Sequence, residues 1–217
     1  RDSGVRPVVI TNAPDYAELE PRFREPAERT VRLVHHGAAI RSRHIESMIQ
    51  AMTFLHPERF ELDLLLVENS PGYIDELNTL AAGMKNVRFP EPVPMPELPV
   101  RLNAYDVGIF LLEPVNFNYA HALPNKLFEF IQARLAVAVS PSVEMARLVR
   151  THECGIVSRD FSAEAFADAL RSLDHGRIND LKRQSHSAAR QLSSEHNKAR
   201  MRSLVDELVA QPHSPPR

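Results

Sequence analysis

The chain has 217 residues, enough for one α/β domain with attachments or for two small domains. A formal charge of −2 leaves no basic excess of the kind that bulk nucleic-acid binding needs, and the seven glycines form no Gly-x-Gly-x-x-Gly or Walker loop, so ordinary dinucleotide and P-loop sites lose their main support. The lone Cys154 excludes an internal disulfide, and the longest apolar runs, Leu62 to Val67 and Val107 to Leu112, are strand-length and far short of a membrane span.

Val8-Val9-Ile10 reads as a short strand leading into Thr11-Asn12-Ala13-Pro14, and a polar segment of mixed charge follows to about Arg29, more a crossing linker than a core element. Thr30 to His36 is the first strong strand. After Gly37 a helix is expected from about Ser42 to Phe54, with Ile45, Met48, Ile49 and Met52 at i, i+3, i+4 and i+7. The alternation then repeats: strand Leu62–Val67, helix Tyr73–Ala82, strand Val87–Phe89, a proline-rich loop from Pro90 to Pro99, a short helix Leu98–Ala104 and a buried strand Val107–Leu112. Next come helix Asn125–Arg134, strand Ala136–Ser140, helix Val143–Thr151, strand Gly155–Ser158 and helix Ala163–Leu173. Two polar helices, about Arg177–Leu192 and Ser194–Val209, precede a tail from Pro212 to Arg217 that is expected to be disordered. Strands that alternate with helices and run as continuous apolar stretches predict an α/β fold, a Rossmann-like parallel sheet with helices on both faces. The domain reading is a hinge or linker over 1–29, a ligand-binding domain over 30–192, and a C-terminal helix and tail over 193–217. The chain opens on Arg1 without an initiator Met and is read as a piece of something longer.

In such sheets ligands bind at the carboxyl ends of strands near the switch in strand order, which points to the loops after His36, Val67, Phe89, Leu112 and Ser140. Gly37 lets the backbone turn tightly and leaves room for a ligand, and Arg41 and Arg43 stand at the opening of the next helix, the end where the dipole disfavours cations and favours an anion. The stretch Ala122-Leu123-Pro124-Asn125-Lys126-Leu127-Phe128-Glu129 reads as a loop feeding a helix N-terminus that carries a lysine, a site for a diphosphate. One turn on, Glu129 lies opposite the apolar arc of Leu127, Phe128, Phe130 and Ile131, where it offers a carboxylate to paired hydroxyls such as those of a ribose. The bland reading is that Glu129 is an exposed first-turn carboxylate contributing only about 0.3–1 kcal/mol of dipole energy. His35, His36, His44 and His121 invite a metal reading, but no His-x-x-x-His pair supports it, and no nucleophile elbow surrounds Ser70, Ser140 or Ser142.

Together these residues resemble the C-terminal, donor-binding half of retaining GT-B glycosyltransferases, the family often called group 1 or family 4, over about residues 8 to 209. The strand-end glycine and basic residue of that family match Gly37 and Arg43. Tyr105-Asp106-Val107 is similar to its "adv" strand start. Its Glu-x7-Glu motif, followed by a small-residue turn and a valine-rich strand, matches His121 to Val139, with the second Glu on Glu129. Val143-Glu144-Met145 to Cys154-Gly155-Ile156-Val157 is similar to its "PE…GCG.LV" passage, and Thr11-Asn12-Ala13-Pro14 looks like its interdomain hinge.

The resemblance implies a cytoplasmic bacterial enzyme, soluble or peripheral at the inner membrane face, that needs no cofactor or metal. Its donor would be a nucleotide-diphosphate sugar such as a UDP-sugar, and its acceptor a hydroxyl of a saccharide, lipid or small molecule. Donor binding falls on Gly37, Arg41, Arg43, Leu123, Pro124, Asn125, Lys126 and Glu129, and catalysis on Arg43, Lys126 and His121. Arg43, Lys126 and N–H groups around Asn125 would hold the diphosphate as leaving group, Glu129 the ribose, and the regions Phe89–Val93 and Val67–Ser70 the base. Three positions depart from the pattern: Ala38 stands for a second phosphate-binding arginine, for which Arg41 would substitute; His121 stands for the first Glu; Pro124 stands for a loop glycine. The resemblance implies a further, N-terminal acceptor-binding domain that this chain is expected to lack, so that by itself it is expected to be inactive or nearly so. The alternatives are a nucleotide-sugar epimerase of related architecture, a non-catalytic sugar-nucleotide-binding module, and a flavodoxin-like receiver domain, which lacks its acidic cluster.

Overall fold

The computed structural model describes residues 8–210, so the predicted tail from Pro212 to Arg217 lies outside the described residues. Six strands form one parallel sheet: β1 Val31–Ala39, β2 Phe60–Glu68, β3 Val87–Arg88, β4 Val107–Phe110, β5 Ala136–Val139 and β6 Gly155–Val157, in the order β3-β2-β1-β4-β5-β6. The helices are α1 Glu46–Thr53, α2 Tyr73–Leu80, α3 Leu98–Asn103, α4 Phe117–Ala120, α5 Asn125–Gln132, α6 Val143–Thr151, α7 Ala163–Arg171, α8 His175–Ala189 and α9 Ser194–Ala210. One apolar core gathers α1, α2 and α7 with Leu33, Leu62, Leu64 and Ile109. The other gathers α3, α5 and α6 with Val34, Leu65, Phe110 and Val137. Alternate residues of a strand thus feed opposite layers, as a sheet covered on both faces requires.

Several element boundaries moved, each for a tertiary reason. The first strand does not stop at His36 but runs to Ala39, because β2 offers partners in register from Val31↔Phe60 to Ala39↔Glu68. Gly37 therefore lies inside a strand, not in the turn after it. The predicted strand at Val8-Val9-Ile10 is not formed: among the described residues no neighbouring strand gives it a ladder, and Val9 is 65% exposed. The predicted helix from Ser42 splits into a 3₁₀ turn at Arg41–Arg43 and α1, with His44 in the left-handed region (φ 49°) between them. The one-turn helix α4 escapes the sequence reading because four residues are too few to show a helical period and none of them is buried; its signal is Asn116, whose side chain caps it by accepting from the Tyr119 N–H at 2.9 Å.

Residues 8–30 have no helix or strand, yet they are fastened to the domain. Arg24 is buried and pairs with Asp106. Its backbone N–H donates to Asn179 on α8 at 2.8 Å. Asp106 also accepts from the Arg32 N–H at 2.8 Å and lies 3.8 Å from the Lys182 ammonium, which donates to the Tyr105 carbonyl at 2.8 Å. One buried carboxylate thus joins the linker, the start of β4 and α8. Arg134, fully buried and held at φ 62°, donates to the Gln132 carbonyl at the end of α5 and to the Ala17 carbonyl of the linker.

The packing of α5 on the sheet depends on Gly108 in β4, where an added Cβ would lie 2.3 Å from the Phe130 ring. Gly108→Ala must push that fully buried ring out of its rotamer well. A loss of about 1–3 kcal/mol is expected in chemical unfolding, with α5 displaced. A loss below about 0.5 kcal/mol, the range of ordinary surface substitutions, would mean that the helix yields freely.

Candidate functional site

The strand order reverses between β1 and β4, which opens a crevice at their carboxyl ends. The end of β1 carries His35, His36 and Gly37; the turn that follows carries Arg43; the N-terminus of α5 comes in from the β4 side. There His36, Gly37, Arg43, Met95, Pro124, Asn125, Lys126 and Glu129 line a cleft of about 360 Å³. A larger groove of about 540 Å³ between Pro14–Leu19 and Met95–Val100 shares only Met95 with it and brings together no cations. The smaller cleft is the one with convergent charge and a switch-point location.

Lys126 is the centre of the cleft. It is 5% exposed, and its ammonium lies 3.2 Å from His35 Nε2 and 4.7 Å from the centroid of the Phe110 ring. Among the described residues neither Lys126 nor Arg43 forms a salt bridge, so two cations face one cleft without an ion-pair partner, Glu129 being the one carboxylate of the lining. Burial, then the nearby Arg43 charge, hold the Lys126 amine down to about 7, with Glu129 opposing. Gly37, at φ 108°, admits this arrangement: a Cβ there would stand 3.5 Å from the ammonium.

The N-terminus of α5 adds partial positive charge to the same cleft. Pro124 precedes it with ψ 148° and caps nothing, and the first turn contains no acidic residue. Its free N–H groups and dipole are left for an external anion. Asn125 is steadied by the Asn12 side chain, which donates to its carbonyl oxygen at 3.2 Å.

Glu129 is not the exposed carboxylate of the bland reading. Its side chain is 13% exposed, and Oε2 lies 3.3 Å from His36 Nε2. Burial raises its pKa, opposed by the Lys126 charge. His36 is held neutral, down to about 3, by burial and by the same Lys126 charge. Desolvation and Lys126 also keep His35 neutral, well below the usual imidazole range, while its Nδ1 contacts the Ile109 carbonyl at 3.0 Å.

Three predicted positions lie elsewhere. Arg41 is exposed and outside the cleft lining, with its guanidinium paired to Glu76 of α2 (Nη2 to Oε1 2.7 Å) and set over the Tyr73 ring. His121 is exposed and stacks on Phe117 at 4.4 Å, outside the lining. Leu123 packs half-buried against the second apolar core. The sequence reading missed His36 and Met95 as lining residues. His36 precedes Gly37 at the strand end, a signal it weighed only for metal binding. Among the described residues no three His, Cys, Asp or Glu side chains gather closely enough to hold a metal ion, and no helix is long and apolar enough to cross a membrane.

Residues 30–175 match the family described as glycosyl transferases group 1. No curated protein matches the chain. Among solved structures, the fold is similar to WaaG, a glycosyltransferase involved in lipopolysaccharide biosynthesis, with TM-score 0.62 and 16% identity over 86% of this chain and 55% of that one. It is similar to the C-terminal domain of a group 1 glycosyl transferase, LpcC, from Francisella tularensis (TM-score 0.57, 16% identity, 73% of this chain and 83% of that one). It is also similar to Anabaena HepE in complex with UDP and glucose (TM-score 0.65, 14% identity, 84% of this chain and 49% of that one). The chain thus spans about half the length of WaaG and of HepE. The similarity to these structures is one of fold: a Rossmann-like parallel sheet with helices around it.

Proposed function

Since the chain belongs to the family of glycosyl transferases, group 1, we propose that it is the donor-binding half of a retaining enzyme of that family, one that transfers a sugar from a nucleotide-diphosphate sugar to a hydroxyl acceptor. The observation that carries this reading is the buried Lys126 ammonium, which lies beside Arg43 and an uncapped helix N-terminus and forms no salt bridge, the one carboxylate of the cleft, Glu129, lying beyond ion-pair distance. A buried charge without a partner is costly, and it is kept where a ligand supplies the counter-charge. A diphosphate supplies two negative phosphoryl groups. In the reaction the same groups stabilise the charge that develops on the departing diphosphate, with no metal required.

Glu129 then takes the ribose hydroxyls, and the base lies toward Phe89–Val93 and the Val67–Ser70 loop. UDP is the first nucleotide to try, because the similar Anabaena protein holds UDP. The acceptor, a saccharide, lipid or small molecule, would be bound by an N-terminal domain that completes the cleft. The enzyme would work in the cytoplasm or at the inner membrane face.

Calorimetric titration of the chain with UDP, GDP, ADP and dTDP, without added metal, tests the reading. Saturable binding of one of them is the expected result, and failure of all four to bind would overturn it. Glu129→Ala is expected to weaken that nucleotide by about 10–150-fold, the loss of roughly 1.5–3 kcal/mol from a charged acceptor. Unchanged affinity in a folded Glu129→Ala protein would remove Glu129 from the ribose site.

A further inference from the structure

We infer that His36 is a positioning residue for Glu129, and that the two side chains act as one unit in recognising a vicinal diol. The inference rests on the donor reading above and deepens it.

His36 is 5% exposed, yet it lines the cleft, and its Nε2 has no hydrogen-bond partner. A buried ring nitrogen left without a partner is uncommon and calls for an explanation. Glu129 Oε2 is 3.3 Å away, near enough for a hydrogen bond but not aligned for one. The ring has little freedom to turn toward it, because it stands edge-on to Phe130, with centroids 5.2 Å apart and planes at 88°. The adjustable partner is therefore the carboxylate, which sits on a longer side chain at the cleft wall.

A carboxylate that holds a cis-diol accepts one O–H on each oxygen. Those oxygens keep further lone pairs, and a fixed N–H donor on Oε2 sets the plane in which the hydroxyls are met. His36 can be that donor while neutral, so it orients Glu129 without cancelling the negative charge that the hydroxyls seek. Lys126 does not take this role: it forms no salt bridge with Glu129, and its ammonium is turned to His35 and Phe110. The lysine serves the phosphates, and His36 serves the sugar side of the same helix turn.

The test compares UDP, GDP and ADP with their 2′-deoxy counterparts by calorimetry on the full chain. The parent protein is expected to bind its preferred ribonucleotide about tenfold more tightly than the deoxy form, with a ribose hydroxyl lost as the difference. His36→Leu, which keeps an apolar side chain against Phe130, is expected to erase that preference: ribonucleotide affinity falls to the deoxy level while deoxy affinity stays within about twofold. His36→Gln, which keeps an N–H donor, is expected to restore most of the preference. If His36→Leu does not fold, His36→Asn is the second variant, with an amide too short to reach Oε2 and the same expected loss. Equal weakening of both nucleotides by either variant, or an undiminished preference, overturns the inference. A parent that binds a nucleotide without discrimination also overturns it and leaves the donor reading intact. A parent that binds none overturns both.

Discussion

Lys126→Met is expected to give a protein that is more stable than its parent near pH 7 and that no longer binds a nucleoside diphosphate. The lysine is buried without an ion-pair partner, so the folded chain bears the cost of a desolvated charge that Glu129 offsets only in part. Methionine has a similar unbranched length and carries no charge, at the loss of one contact to His35. With the amine held down to about 7 in the fold, removing it is expected to stabilise the chain by about 2–4 kcal/mol. The sign with pH is fixed by where the protons sit. Above about 7 and up to the ordinary lysine range, the unfolded chain binds the extra proton and the folded chain does not. Parent stability therefore rises with pH across that window, and the advantage of the variant is full below about 7 and shrinks above it. Affinity for a diphosphate should fall by at least about 100-fold, since a buried charged pair is lost. Thermal unfolding at pH 6, 7 and 9 beside titration of both proteins with the preferred nucleotide checks the two halves. A variant less stable than the parent that still binds would show Lys126 to be a structural cation.

Asp106→Ala is expected to do the reverse: a large loss of stability with little change in the site. The carboxylate is 2% exposed and faces Arg24, the Arg32 N–H and Lys182. Removing it leaves two buried cations without their anion and frees the linker from β4 and α8. Breaking such a pair costs about 3–5 kcal/mol, which for a chain of this size lowers Tm by about 10 °C. Asp106 precedes β4, at the end of the strand opposite the cleft, so nucleotide affinity below the melting transition should change by less than about threefold, within the coupling of distant sites. A Tm shift under about 2 °C would show that the linker is held by something other than this carboxylate.

The fold was legible because its signals are local and redundant. Each central strand is a continuous apolar run between turn residues, and helices such as α1 and α6 carry their apolar residues at helical spacing, so the order β–α–β could be read without knowing which strands pair. The site was half legible for the same reason. Gly37, Pro124, Asn125, Lys126 and Glu129 announce themselves by position in a strand end or a helix start, and with Arg43 they line one cleft. Arg41 looked equivalent to Arg43 two residues away. What separates them is Glu76, 35 residues further on, which captures one guanidinium and not the other. His121 fits a motif position, but its ring is taken up by Phe117 four residues earlier.

The sequence by itself therefore determined the class of sheet, the family resemblance and the helix whose start carries the lysine, since all of these depend on contacts within a few residues. Only the tertiary structure decided the strand order, the burial of Lys126 and Glu129, the approach of His36 to Glu129 across 93 residues and the pairing of Arg24 with Asp106 across 82. The physical reason is that burial and electrostatic pairing are set by whatever else the fold brings within a few ångströms. A side chain's charge state and its freedom to meet a ligand follow from those neighbours, which one-dimensional spacing does not encode.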